Sequence, residues 1–512
     1  MNSSTRLVFN TSIQYFRSII SLFISFYTVR LILDALGIEN YGIYSIVSGV
    51  VSMLSFIQSS LAQTTQRYLS FHQGRGDLTM QKKIFNNSVI TQLLISIALV
   101  AILAALKPVL FGGFLNIEPD RLNAAVGVYF CMLAVLFFTM QSAPYMATLI
   151  AHENILYTTI VELLNIFLKI PIALMLYHAP FDKLIYYAVL SLGLQVLNFL
   201  LYYIYCKLKY PESKDFNFNQ FDKQTFRDIF SFMGWNIYST GCIVAKNQGF
   251  AIILNKMAGV VWNAAWGIAS QVAGQINFIS VSMQNAIRPQ IVKAEGAGDR
   301  KRMLRLSEIS SKFSFMLLAM VSIPLFIEMT KILPFWLKEV PEGTVLFCQM
   351  ILIVNIVDQL TSGLAQANQA IGDVKNYSLL FYTPKLLLLP ATYLILFYYD
   401  SKLSVMFAFV MIELIVALLR LPFLKSTGGL SINEFVNNVF IKELVPFILT
   451  AIACWGFSQL FDSLWGILGT CIISLIIMGI TTYYFGLCND EKIIIKALLE
   501  KTNSKLIKTL YH

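Results

Sequence analysis

Charged side chains are scarce in this chain of 512 residues: Asp, Glu, Lys and Arg make up 13% of it, against about a quarter of a soluble globular protein. That scarcity excludes a disordered chain and a soluble enzyme. Cysteine is sparse and unpaired. The seven residues (131, 206, 242, 348, 454, 471, 488) are scattered through or beside apolar runs. No Cys-x-x-Cys pair occurs, so neither a disulfide framework nor a zinc site is indicated, and the cysteines read as small packing hydrophobes. His72, His152, His178 and His512 are far apart, and no His-x-x-x-His or Glu-rich cluster points to a metal or other cofactor. A Gly-x-x-x-x-Gly-Lys-Ser/Thr loop is missing, which argues against ATP-driven chemistry within the chain. No set of paired catalytic groups presents itself, so the sequence does not read as an enzyme.

What the chain has in abundance is apolar length. Apolar residues make up 57%, and the mean hydropathy is +0.67. A membrane helix consumes about 20 apolar residues, so fourteen spans would use about 280 of the roughly 292 available. The expected fold is therefore an all-α polytopic membrane protein with about fourteen transmembrane helices between residues 10 and 487. Runs of this length and continuity are not the alternating ten-residue segments of a barrel. The first run, Asn10 to Leu33, is too long for a signal h-region and reads as the first span.

The net charge of +10 raises the possibility of nucleic acid, and its placement decides against that. With a cytoplasmic N-terminus, 26 Lys and Arg residues fall on the inner side, 7 outside and 5 within spans. This bias puts both termini inside. The chain also repeats itself. Shifted by 222, Leu36-Gly37 meets Ala258-Gly259, and Gly74-Arg75-Gly76-Asp77 meets Gly296-Ala297-Gly298-Asp299. Shifted by 219, Ala151 meets Ala370, Pro171 meets Pro390, and Lys183-Leu184 meets Lys402-Leu403. Six helices per copy is an even number, so both copies enter from the same side, as parallel repeats do. The reading divides the chain into an N-lobe (1–206, spans 1–6), a solvated cytoplasmic linker (207–228), a C-lobe (229–424, spans 7–12), spans 13–14 (425–487) and a cytoplasmic amphipathic tail (488–512).

Charge at membrane depth is the chemically informative feature. Arg17, Arg30, Glu162, Lys169, Lys246, Lys385, Asp358 and Glu413 all fall within spans, where each costs at least about 2.5–3.5 kcal/mol unless it faces a bundle interior, a watery cavity or the interface. Lys246 lies in the most polar stretch of any span, beside Asn247 and Gln248. Arg17 lies in the span that opens the first repeat, and Lys246 in the one that opens the second. The expected substrate-cavity set is Arg17, Arg30, Lys246, Asn247, Gln248 and Lys385, although snorkelling explains Arg30 as well. Glu162, Lys169, Asp358 and Glu413 are expected as coupling groups or charge partners. Glu162 and Lys169 lie two helical turns apart on one face.

The pattern Arg30 … Leu36-Gly37 … Tyr41-Gly42-Ile43-Tyr44, together with Arg288-Pro289 … Gly296-Ala297-Gly298-Asp299, resembles the polysaccharide exporters of the MOP (MATE-like) superfamily. Fourteen spans and a six-plus-six duplication extend that resemblance over essentially the whole chain, and within the superfamily it looks most like Wzx-type O-antigen flippases. The resemblance implies two lobes alternating around a central cavity in a bacterial cytoplasmic membrane. The implied substrate is an undecaprenyl-diphosphate-linked oligosaccharide, a repeat unit of O-antigen, capsule or exopolysaccharide, handed on to polymerase or ligase machinery. The three acids leave room for proton or sodium coupling. Two alternatives stay open within the same class: a MATE-type cation-coupled multidrug antiporter, which would want acidic cavity residues, and a lipid II flippase. A non-transport scaffold would not need the buried charges.

Overall fold

The computed structural model describes residues 13–492 except 15, 18–19, 22–23, 25–26, 29, 53, 115–117, 215–220, 338 and 462–463. Every regular element among the described residues is helical. The first helix, α1, is helical at its described positions between 13 and 36. It is followed by α2 (Ile38–Ser52), α3 (Ser55–Gly74), α4 (Leu78–Val109), α5 (Leu122–Ala151), α6 (Ile155–Met175), α7 (Lys183–Lys209) and the short α8 (Pro211–Lys214). The second half holds α9 (Lys223–Ala258), α10 (Val260–Gly296), α11 (Arg300–Trp336), α12 (Thr344–Gln359), α13 (Ser362–Ile371), α14 (Val374–Phe381), α15 (Leu388–Tyr399) and α16 (Lys402–Gly428). Three further helices, α17 (Ile432–Phe435), α18 (Ile441–Ser458) and α19 (Leu464–Thr481), complete it.

Nine helical segments among the described residues are long and apolar enough to cross a membrane, and α12 with α13 makes a tenth, bent by 45°. The four other membrane-length segments are 13–36, 38–74, Lys223–Ala258 and Val260–Gly296. They fall where the first two spans of each repeat are expected. Segments 38–74, α9 and α10 carry a high share of Ser, Thr, Asn and Gln. In a membrane, such polarity belongs against protein or water rather than lipid.

The duplication is visible in the backbone. Ile38, Leu78 and Leu122 open α2, α4 and α5; Val260, Arg300 and Thr344, each 222 positions later, open α10, α11 and α12. Ile155 and Lys183 open α6 and α7, and Val374 and Lys402, each 219 later, open α14 and α16. The Gly-x-Gly-Asp motif has a mechanical reason. Gly76 (φ 72°) and Gly298 (φ 78°) adopt the left-handed conformation that ends a helix. The following Asp then caps the next helix: Asp77 accepts from the Met80 N–H at 2.9 Å and Asp299 from the Arg302 N–H at 3.0 Å, each cap worth about 1 kcal/mol. The loss of three residues from the shift falls where continuous α5 is matched by the broken pair α12–α13. There the Gly363 N–H donates to Ser311 Oγ at 2.9 Å, and a Cβ on Gly363 would fall on the Ser307 carbonyl. Small residues thus let α13 ride directly on α11, the packing that drives helix association where lipid is as apolar as leucine.

The chain forms two compact units, one of residues 13 to Ile237 with Gly296–Gly298, the other of Tyr238–Glu295 with the described residues from Asp299 onward. In the first, Tyr129, Met140, Leu133 and Val128 lie in a buried cluster of α4, α5 and α7. In the second, Phe250, Trp266, Phe347 and Phe409 interlock edge to face or tilted, with centroids 4.7–6.4 Å apart, a favourable arrangement for aromatic quadrupoles.

Two local expectations are corrected. The 207–228 stretch is helical through Lys209, over Pro211–Lys214 and again from Lys223, and Glu212, read there as solvated, is only 1% exposed. Its Oε1 lies 2.5 Å from His152 Nε2, and Tyr210 stacks on the imidazole at 4.1 Å, because a buried carboxylate needs a partner. Lys107, one of the seven basic residues counted as outside, lies within the helix, in the last turn of α4. Of the tail, the described part ends at Lys492, and the rest of the expected amphipathic helix lies outside the described residues. Glu491 is buried against Lys312 Nζ at 2.5 Å and Arg305 at 3.0 Å.

Candidate functional site

In the second unit, five charged side chains from four segments meet in one buried chain. Lys246 comes from α9, and Lys385 from the short 3-10 turn Pro384–Leu387 between α14 and α15. Asp358 sits in the last turn of α12, and Glu413 and Arg420 lie seven residues apart on α16, two turns along the same face. Glu413 is the hub. Its Oε1 accepts from Lys246 Nζ at 2.6 Å and its Oε2 from Lys385 Nζ at 2.6 Å. Lys385 also lies 3.8 Å from Asp358 Oδ1, which accepts from Arg420 Nη2 at 2.9 Å. Side-chain exposures are 8% for Lys246, 2% for Glu413, 9% for Lys385 and 5% for Arg420, whereas Asp358 is 38% exposed. The ammonium of Lys246 also rests 4.6 Å from the centre of the Phe409 ring, a cation–π contact that strengthens as water is excluded.

The local sequence explains this assembly. Pro384 opens the 3-10 turn and interrupts the span, which brings Lys385 inward. The break after α12 leaves unsatisfied carbonyls at the helix end. Arg420 Nη1 answers by donating to the Asp358 carbonyl at 3.3 Å and to Thr361 Oγ1 at 3.3 Å, while Thr361 Oγ1 donates to the Ala417 carbonyl at 3.0 Å. With ordinary ionisation, three cations and two carboxylates leave one positive charge in excess.

Asn247 and Gln248, grouped with Lys246 by sequence, are exposed where Lys246 is buried. Consecutive helical residues are turned by about 100°, so neighbours in sequence do not share a face. Gln248 instead lines a shallow depression of about 380 Å³ with Ala251, Ile252, Asn255, Lys256 and Asn263. Arg420 was not among the expected site residues. It lies near the inner end of the last span of the repeat, where a basic residue reads as an orientation signal, and the available clue was its seven-residue spacing from Glu413.

In the first unit, Arg17 on α1 forms an ion pair with Glu162 on α6. Thr158, Glu162, Asn165 and Lys169 run along one face of α6. Lys169 is exposed at membrane depth, and no ion pair links it to another described residue. Arg30 is exposed at the end of its span, the position from which an arginine snorkels. Among the described residues, no group of three or more His, Cys, Asp or Glu could hold a metal ion.

No family model matches the sequence, and no curated protein matches it. Solved structures do match in fold. A MOP-superfamily transporter from Pyrococcus furiosus, described as having a binding pocket of reverse polarity that suggests a different function, aligns at a TM-score of 0.69 and 13% identity, over 85% of this chain and 96% of that one. A proline-to-alanine mutant of a MATE protein aligns at 0.72 and 13%, over 83% and 96%. An outward-facing multidrug-resistance MATE transporter of the MOP superfamily aligns at 0.69 and 13%, over 83% and 95%. At such identities the likeness is one of fold: this chain has the architecture of MOP-superfamily transporters, a multi-pass helical membrane protein.

Proposed function

We propose that this protein flips an undecaprenyl-diphosphate-linked oligosaccharide across the bacterial cytoplasmic membrane by alternating access. The transporter fold narrows the class, and one observation carries the choice within it. Every expected intramembrane carboxylate already holds a basic partner: Glu162 has Arg17, Asp358 has Arg420, and Glu413 has both Lys246 and Lys385. An organic cation would therefore find no free carboxylate in this set. It would also meet a network with net positive charge.

A diphosphate is the complementary ligand. It carries about two to three negative charges, and short charge-assisted hydrogen bonds from ammonium and guanidinium groups are the strong way to hold them in a low-dielectric layer. The prenyl chain needs no protein cavity, since it can remain in lipid while the headgroup crosses. Coupling to protons or sodium and hand-over to a polymerase or ligase belong to the same proposal.

The test uses purified protein in liposomes. A fluorescent undecaprenyl-diphosphate oligosaccharide should be translocated, while organic cation dyes should not. Gradient-driven dye transport without glycolipid movement would favour the multidrug antiporter. Movement of lipid II in preference to oligosaccharide carriers would favour the lipid II flippase.

A further inference from the structure

The hub carboxylate does something a mere counter-ion need not do. Glu413 uses one oxygen for Lys246 and the other for Lys385, both at 2.6 Å, from a position only 2% exposed. That is the geometry in which a phosphate bridges two ammonium groups: two oxygens on one central atom, each taking a charge-assisted hydrogen bond. Asp358, at the more exposed end of the chain, also serves two cations but through a single oxygen, its Oδ1 lying 3.8 Å from Lys385 and 2.9 Å from Arg420. The cations that would receive an anion are thus already occupied by carboxylates of the same unit.

From this geometry we infer that Glu413 is a built-in competitor for the anionic headgroup, occupying the place of a substrate oxyanion when none is bound. The inference rests on the proposed anionic substrate and adds to it a regulation of the same site. In the resting arrangement the carboxylate satisfies two lysines whose burial would otherwise be expensive. An arriving diphosphate must displace it from at least one of them. Binding is weakened by that exchange and so is release, because Glu413 returns to the lysines as the phosphate leaves. Glu413 therefore trades affinity for turnover, and it is a positioning residue for Lys246 and Lys385.

The experiment measures binding of inorganic diphosphate to the full-length protein in detergent by titration calorimetry, alongside glycolipid export in cells. Glu413→Gln removes the competitor and should bind diphosphate at least about tenfold more tightly than the wild type, with slower export. Because Lys246 then lacks its carboxylate and Lys385 keeps only Asp358 at 3.8 Å, this variant is the one at risk of unfolding, and Glu413→Asp supplies the second arm. It keeps the charge but is one methylene too short to bridge both lysines, so its affinity should lie between the two. If both variants are folded and bind diphosphate no more tightly than the wild type, Glu413 is only a structural counter-ion and the inference is overturned. If the wild type itself shows no Lys246-dependent diphosphate binding, the anionic-substrate reading fails with it, and the two failures are told apart by that one titration.

Discussion

Replacing Lys246 by Met removes one of three cations from the five-residue network and takes it from one excess positive charge to neutrality. Structure sets the expected size. Removing one partner of a buried ion pair costs about 3–5 kcal/mol when the other charge is stranded. Glu413, however, keeps Lys385 at 2.6 Å, so the folding loss is nearer the about 1.5–3 kcal/mol of a single charge-assisted hydrogen bond. Set against a total stability of about 5–15 kcal/mol, the protein should stay in the membrane. The substrate loses a bond of the same kind, and about 1.5–3 kcal/mol corresponds to about a 10- to 150-fold fall in export. Export of labelled glycolipid should be measured beside membrane abundance. Lys246→Arg should keep part of the activity, since the charge survives while the point-like ammonium is replaced by a planar fork. Lys107→Met, in the last turn of α4, is the control and should change little. Normal export by Lys246→Met at wild-type abundance would refute the reasoning that places a substrate-binding cation there.

Further outcomes follow from the same structure. Arg17→Met should lower export and Arg17→Lys should recover part of it, read by the same assay, because Glu162 otherwise lacks its basic partner. Gly363→Ala should sharply reduce folded protein by thermal melting, since its methyl group meets the Ser307 carbonyl and overpacking costs about 1–3 kcal/mol. Reporter fusions after Leu184 and Leu403 should read outside and those after Lys214 and Arg302 inside; an inside reading at both of the first two would overturn the topology. Near the end of the described residues, partial burial pushes the Asp490 carboxyl up, but the Arg305 hydrogen bonds outweigh it and hold the group below its usual value. A depressed carboxylate contributes stability above its unfolded pKa and loses it as the pH falls through the folded value. Protection against hydrogen exchange around residues 487–492, measured relative to the intrinsic rate at each pH, should therefore fall as the pH drops below about 4, and Arg305→Ala should abolish that dependence.

Much of the fold was legible because membrane burial makes a simple demand, satisfied backbone over about 20 apolar residues. The duplicated Gly-x-Gly-Asp was equally readable, since a left-handed glycine followed by a capping Asp has a local mechanism that needs no partner elsewhere in the chain. The bend after Gln359 was not, because no proline marks it and the contacts that stabilise it come from Arg420 and Ala417, distant in sequence. The site followed the same divide. Individual buried charges were visible as anomalies, but which carboxylate serves which cation is a matter of tertiary packing. Glu413 joins Lys246 across 167 positions, and Asn247 and Gln248 were grouped with Lys246 by adjacency although helical phase turns them away. Arg420 was hidden by its resemblance to the basic residues that orient a membrane protein.

The most direct test of the central claim is the sidedness of the lipid-linked glycan in cells from which this protein has been deleted. Undecaprenyl-diphosphate-linked oligosaccharide should accumulate on the cytoplasmic face and return to normal when the wild-type chain, but not Lys246→Met, is restored. Unchanged glycolipid distribution in the deletion strain, with glycan export intact, would contradict the account.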